Sequence, residues 1–397
     1  MQPSFKNITY LVGSEEMLST ISTVKVYPIC DIRIVDFLSA LSKEILLDKR
    51  SKKYPDVTSF AFWIRKSSIN KISKNFLISN NRIGRGVSFH IAPSNVPVNF
   101  AVSMAYALLA GNSCIVRVSS KSFEQVDIIC DAINNLFKST YQNIKNLICI
   151  IRYEYNEMIT QTLSSLCDIR VIWGGNHTID NIRLTKLPPR AIELTFADRY
   201  SISIVNSEEY LMRDNLKVAR DFYIDTYFSD QNACSSPRLV VWTGNKIEKA
   251  RKLFWNSLED LVTKEYKFNN IQCVDKLTAF CKFAAHHNNI QIESHSNLLV
   301  RVKLSELSEE IMDFKEGGGY FFEYTTNNLN EIVPILTKSC QTISLLGINS
   351  DEIKNIVFVN GAKGVDRIVP MGHTMDISYI WDGNNMIESM SRIIECF

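Results

Sequence analysis

Between residues 84 and 184 the chain alternates short apolar runs with amphipathic ones, and that alternation leaves few folds open. Residues 86–91, 114–118, 146–151 and 169–173 read as strands. Residues 98–110, 121–137, 157–166 and 178–184 read as helices, the first stopped by Gly111-Asn112. Strands joined by crossover helices imply a parallel sheet covered on both faces, an α/β class. In such sheets ligands sit at the C-terminal ends of strands, beside helix N-termini. The loops 92–97 and 174–177 hold that position. Neither is a G-x-G-x-x-G fingerprint, and Gly84-Arg85-Gly86 precedes a strand, which is the wrong context.

A second alternating region follows. Strands are expected at 191–196, 200–205, 238–242, 297–302, 320–324 and 342–347, with a strand-like tail at 364–372. Helices are expected at 208–227, 247–267, 274–286, 329–337 and 386–394. Residues 1–80 read as an approach region with a helix at 34–47 and a polar run, 70–75, continuing as a helix towards Phe76.

With 397 residues the chain calls for two or three domains. Its 44 basic and 42 acidic residues give a net charge of +2, which argues against a nucleic-acid or anionic-membrane surface. The longest apolar run, near 100–111, is shorter than the about 20 residues a membrane span needs. No charged start followed by an apolar run marks residues 1–10, so no export signal is expected. The ten cysteines form no C-x-x-C pair and imply reduced thiols in a cytoplasmic protein. The six histidines show no metal spacing, so no metal is expected; His286-His287 are adjacent and diverge on a helix.

One cysteine stands apart. Residues 228–238 (Phe-Ser-Asp-Gln-Asn-Ala-Cys-Ser-Ser-Pro-Arg) place Cys234 among small and polar residues, directly before the apolar run Leu239-Val240-Val241-Trp242. A reactive thiol needs a polar, partly open setting and a rigid neighbour. Taken alone, a cysteine is more often a small buried hydrophobe.

His90-Ile91-Ala92-Pro93-Ser94-Asn95-Val96-Pro97, Leu109-Ala110-Gly111-Asn112-Ser113 and Ile115-Val116-Arg117-Val118-Ser119-Ser120-Lys121 resemble the aldehyde dehydrogenase superfamily. That superfamily has a Pro-x-Asn-x-Pro loop, a helix ending in Ala-Gly-Asn and a strand ending in Lys-Pro-Ser-Glu. A closer resemblance is to the LuxC family, the acyl-CoA reductase component of bacterial fatty-acid reductase. It is carried by 230–237 (Asp-Gln-Asn-Ala-Cys-Ser-Ser-Pro), 366–370 (Asp-Arg-Ile-Val-Pro), 380–383 (Ile-Trp-Asp-Gly) and 54–57 with 59–63 (Tyr-Pro-Asp-Val, Ser-Phe-Ala-Phe-Trp). These matches run in the expected order over residues 54–385.

The resemblance implies an aldehyde dehydrogenase-like fold of two Rossmann-like three-layer α/β/α domains. Residues 1–205 would hold the NADP(H)-binding domain, 206–365 the catalytic domain, and 366–397 a C-terminal segment returning to the cofactor domain and aiding oligomerisation. Cys234 would be the nucleophile that takes the acyl group from a thioester. Asn95 would donate its amide to the oxyanion, where each such donor is worth roughly 3–4 kcal/mol. Pro93, Ser94, Arg117, Ser119, Ser120, Lys121, Gly174 and Gly175 would bind the cofactor. Arg117 matches a strand-end lysine at the adenosine ribose, and Ser120 replaces the glutamate that binds the ribose 2′-OH in NAD-preferring members. Loss of that carboxylate beside Arg117 and Lys121 favours NADP(H).

Acid-forming members carry a glutamate that activates water, and Phe196 aligns with it. Glu193, three residues earlier, is the nearest substitute. Without that base, exchange with a thiol is favoured over hydrolysis. The implied activity is NADPH-dependent reduction of an acyl thioester, on CoA or a protein carrier, to an aldehyde. The implied partners are an acyl-transferring or acyl-protein synthetase subunit and further copies of the chain. The alternatives are an aldehyde dehydrogenase forming acid or acyl-CoA, and a non-catalytic partner in an acyl-transfer complex. Glu323 and His373 are further polar candidates, each read as structural or substrate-orienting.

Overall fold

The computed structural model describes residues 5, 7–74, 81–287 and 290–395. They form two compact units, residues 1–197 with 377–397, and residues 198–376.

The first unit is built on a six-stranded sheet. Its strands are β1 (Thr9–Val12), β3 (Val87–Ile91), β4 (Ser113–Arg117), β5 (Ile148–Arg152), β6 (Ile169–Trp173) and β7 (Ile192–Phe196), in the order β1-β5-β4-β3-β6-β7; β2 (Arg82–Gly84) lies outside it. β3 to β7 are parallel, and β1 joins β5 antiparallel at the edge. Helices cover both faces, so central strands such as β4 have an apolar middle, and Cys114, Ile115 and Val116 are buried. The helix Asn99–Leu109 is buried from Phe100 to Leu109, which accounts for the longest apolar run in the sequence. Its Gly-Asn stop is built for close approach. Gly111 has φ +89°, and a Cβ there would stand 1.9 Å from the Tyr27 carbonyl oxygen. Asn112 accepts from the Arg85 and Gly86 N–H groups at 2.7 and 3.1 Å and donates to the Met390 carbonyl at 2.9 Å.

The second unit holds a seven-stranded sheet. It comprises β8 (Tyr200–Asn206), β9 (Pro237–Thr243), β10 (Gln291–Ser296), β11 (Leu299–Lys303), β12 (Tyr320–Thr325), β13 (Cys340–Leu346) and β14 (Arg367–Pro370), in the order β10-β11-β12-β9-β8-β13-β14. All neighbours are parallel except β10, which pairs antiparallel with β11. The helices Asn215–Asp225 and Ile247–Glu265 pack an aromatic cluster of Phe222, Phe254, Trp255, Trp242 and Phe321 onto one face. The helices Ile271–His286 and Ser350–Val359 contribute to the core on the other.

Several elements differ from the expectations. Residues 200–205, assigned to the first domain, pair with β9 and β13, so the division falls at 197/198 and not at 205. The tail also divides later than 365: β14 extends the second sheet, and the chain returns to the first unit at 377. The 208–227 helix is broken into Ser207–Leu211 and Asn215–Asp225 because Asp214 caps the second piece, accepting from Leu216 and Lys217 N–H. Residues 329–335 form a 3₁₀ turn containing Pro334 in place of a regular helix. The final helix spans only Met386–Ser389; Ser391–Ile393 then pairs with β2. The polar run is helical to Lys74, and its continuation towards Phe76 lies outside the described residues. Among the described residues no helix is long and apolar enough to cross a membrane, and no group of three metal-binding side chains occurs.

Candidate active site

Cys234 lies in the turn that enters β9, so it stands at the N-terminal end of a central strand. It is half-buried and forms no disulfide. The turn is held from several directions. Asp230 and Gln231 both adopt positive φ, 53° and 55°, an unusual pair for non-glycine residues. Gln231 is fully buried and uses its whole amide: Nε2 donates to the Pro237 and Tyr320 carbonyls at 3.1 and 3.3 Å, and Oε1 accepts from Gly319 and Tyr320 N–H at 2.7 and 3.2 Å. Arg238 donates to the Gln231 and Glu316 carbonyls. The Cys234 carbonyl accepts from Ser201 Oγ at 2.7 Å, and Ser235 Oγ donates to Met375 Sδ at 3.5 Å.

Met375 is itself positioned by a buried carboxylate. Asp225 accepts from Gly372 N–H at 2.7 Å, Thr374 N–H at 3.0 Å and Thr374 Oγ1 at 2.9 Å. Burial pushes its pKa up to about 6, against the pull of those donors. Gln231, Ser201, Arg238 and Asp225 carried no sequence-level assignment. No local pattern in the sequence marks them.

In the first unit the other expected residues gather at the C-terminal ends of β3, β4 and β6, which are neighbours in the sheet. Pro93 is half-buried, and Ser94 and Asn95 are exposed, in the loop after β3. Arg117 ends β4 with its guanidinium 4.7 Å from the Tyr153 ring centre; Nη2 donates to the Tyr153 carbonyl at 3.3 Å, and Nε is buried without a hydrogen-bond partner among the described residues. Ser119 Oγ accepts from Lys121 N–H at 3.1 Å, while Ser120 and Lys121 are exposed. Gly174 ends the β6 turn, and a Cβ there would meet Thr178 at 3.3 Å. Gly175 caps the helix Asn176–Arg183. A cleft of about 110 Å³ beside these ends is lined by Arg117, Tyr153, Tyr155, Thr160, Thr178 and Asn181, among others. This set of exposed hydroxyls, strand-end cations and close backbone fits a phosphate-bearing nucleotide.

The remaining polar candidates are occupied elsewhere. Glu193 accepts from Arg170 at 2.8 and 2.5 Å and from Arg183 at 2.7 Å, so both its oxygens are held by cations. Phe196 is buried and stacks on Trp173, ring centres 3.8 Å apart. Glu323 is buried, accepting from Trp242 and Trp255 at 2.9 and 2.6 Å and pairing with Arg301 at 3.2 Å, a structural knot within the second unit. His373 is exposed and bonded to Asp376 at 2.8 Å, which raises its pKa.

Residues 65–393 match the family model described as Acyl-CoA reductase (LuxC). The chain belongs to the LuxC acyl-CoA reductase family. Among curated LuxC-like relatives, the long-chain acyl-protein thioester reductase 2 of Photobacterium leiognathi is 25% identical over 300 residues, covering 72% of this chain and 59% of that protein. This chain thus spans about three fifths of the length of that relative. Solved structures place the LuxC chain among aldehyde dehydrogenase folds. A NAD-dependent benzaldehyde dehydrogenase from Corynebacterium glutamicum superposes with TM-score 0.66 at 11% identity, covering 95% of this chain and 87% of that one. The NADP-dependent glyceraldehyde-3-phosphate dehydrogenase of Bacillus halodurans, complexed with NADP, superposes with TM-score 0.64 at 15% identity, covering 95% and 90%. The α/β class and the aldehyde dehydrogenase-like architecture expected from the sequence are therefore those of the protein.

Proposed function

We propose that this LuxC-family chain reduces an acyl thioester to an aldehyde through an acyl group carried on Cys234. The observation that carries the reading is the family match over residues 65–393 together with a half-buried thiol in a rigidly held turn inside it. Cys234 sulfur attacks the thioester carbonyl, the S–C bond to the carrier breaks, and the carrier thiol leaves with a proton. Asn95 donates its side-chain amide to the oxyanion formed in that step. The nicotinamide cofactor, when bound, would supply the hydride that reduces the acyl carbon held on Cys234. The resulting thiohemiacetal collapses, releasing aldehyde and regenerating the Cys234 thiol.

The same reading assigns residues 1–197 to cofactor binding and 198–376 to acyl transfer. Pro93, Ser94, Arg117, Ser119, Ser120, Lys121, Gly174 and Gly175 hold the cofactor, with NADP(H) favoured because Ser120 presents no carboxylate to a 2′-phosphate. Reduction is preferred to acid formation for two reasons: Phe196 carries no proton-accepting group, and Glu193 is bound to two arginines. The acyl donor is a thioester of CoA or of a protein that transfers acyl groups, and the working form is a cytoplasmic homo-oligomer.

The test is to incubate the protein with a panel of acyl-CoAs and follow mass added to the Cys234 peptide, with and without NADPH. The expected result is an acyl adduct on Cys234 that NADPH discharges as aldehyde. Turnover retained in Cys234→Ala, or free acid as the product, would overturn it.

A further inference from the structure

Buried and half-buried arginines in the second unit are generally matched by carboxylates: half-buried Arg199 by Asp366, and buried Arg251 and Arg301 by Glu293 and Glu323. Arg238 is the exception. Both its hydrogen-bond partners are neutral carbonyls, of Gln231 and Glu316, and among the described residues it forms no ion pair. The Glu316 carboxylate turns to the Gly317 N–H at 2.8 Å. Lys276 repeats the pattern behind the same turn. It is buried, and its ammonium donates to the Asn297 and Gly318 carbonyls at 2.5 and 2.7 Å, with no carboxylate partner among the described residues. A desolvated cation with no carboxylate in hydrogen-bond range is costly, and this strand entry carries two, with the Glu316 charge acting on both from further away.

We propose that the counter-ion of Arg238 is the Cys234 thiolate, and that this guanidinium makes Cys234 the reactive thiol of the chain. The inference rests on Cys234 being the nucleophile and names the group that activates it. Arg238 follows Cys234 by four residues, and its fork grips the loop carrying the thiol, so the charge is fixed relative to the sulfur. Burial pushes the Arg238 pKa down to about 10, while the negative charges of Glu316 and Cys234 act in the opposite direction. The charged and titratable groups around this entry are Glu316, Lys276, Cys273, Asp230 and Tyr266. Burial pushes the buried thiols Cys149, Cys167 and Cys340 up to about 12, and Cys114 and Cys130 further, and at Cys167 and Cys340 the charges of Arg170 and Arg199 act against it. The step balances simply. The Cys234 S–H bond ionises, the proton passes to solvent, and the sulfur keeps the electron pair.

Iodoacetamide tests this on the full chain, because the thiolate displaces iodide and each modified cysteine is read by peptide mass. The rate at Cys234 is followed from pH 5 to 9 in the parent, Arg238→Gln, Arg238→Lys and Glu316→Gln. Arg238→Gln is expected to slow labelling of Cys234 at pH 7 by about tenfold and to move its rise to higher pH. Arg238→Lys keeps most of the parent rate, a rescue that lost packing does not produce. Glu316→Gln removes a competing negative charge and speeds labelling, which keeps the test decisive should Arg238→Gln fail to fold. A parent-like profile in Arg238→Gln, or no acceleration in Glu316→Gln, overturns the proposal. The acyl adduct is a separate readout: a charge-dependent Cys234 that takes no acyl group refutes the thioester reading and leaves this inference standing.

Discussion

The side-chain amide of Gln231 pairs with both backbone groups of Tyr320, accepting its N–H at 3.2 Å and donating to its carbonyl at 3.3 Å. A glutamine three positions before Cys234 thereby imitates a strand residue at the start of β12. Replacing it with alanine leaves the Gly319 and Tyr320 N–H groups and the Pro237 carbonyl without their buried partner. Gln231→Ala should cost about 3 kcal/mol, read as a lower urea midpoint. The same variant should label faster at Cys234 with iodoacetamide, because the turn opens. Unchanged stability would show that the bracket is dispensable.

The buried Asp225 predicts a pH effect of definite sign. Its pKa in the folded chain, about 6, lies above the ordinary aspartate value, so folding favours the protonated form. Its contribution is full below about pH 4 and is lost as pH rises through 6. Relative to Asp225→Asn, the parent should therefore lose on the order of 2–3 kcal/mol of stability between pH 4 and pH 7. Urea unfolding of both proteins at the two pH values measures this. A constant difference between them would refute it.

Glu193 offers a test of product choice. It is mostly buried, at 16% exposure, and pairs with Arg170 and Arg183. Removing one member of such a pair leaves Arg170 uncompensated, so Glu193→Gln should lower stability by about 3 kcal/mol. Because Phe196 carries no proton-accepting group, the variant should give the same aldehyde-to-acid ratio as the parent. A drop in acid release on making Glu193→Gln would instead identify Glu193 as a hydrolytic base.

What could be read from the sequence, and what could not, follows from the range of the interactions. The strands from Val87 to Phe196 were readable because each is locally apolar and each crossover helix has its own periodicity. β1 and β10 escaped notice: Gln-Ile-Glu-Ser-His-Ser is a half-polar edge strand whose status depends on its partner β11. The tail misled for a related reason. Met386, Ile387 and Met390 have helical spacing, but Ser391 turns away to pair with Gly84, some 300 residues earlier in the chain. Residue type and motif order single out Cys234 and Asn95 as candidates. The grips of Gln231 and Arg238 close on residues 316–320, about 80 positions onward, which no local pattern discloses.

Cofactor choice gives the last prediction. Ser120 and Lys121 are exposed after β4, and Ser119 turns the chain there by accepting the Lys121 N–H. Arg117 is held against Tyr153 with its Nε unsatisfied, so a strand-end cation stands on the same loop with hydrogen-bonding capacity in reserve. A 2′-phosphate would meet Lys121 and Arg117 and no carboxylate from position 120. Ser120→Glu places a carboxylate there. It repels the 2′-phosphate and offers an acceptor to a free ribose 2′-OH. We expect kcat/KM with NADPH to fall at least about tenfold while that with NADH rises, because losing one charge-assisted contact costs about 1.4 kcal/mol or more. Steady-state kinetics with both cofactors reads the ratio directly. A preference for NADPH undiminished in Ser120→Glu would place the 2′-phosphate away from this loop, and with it the roles given to Arg117 and Lys121.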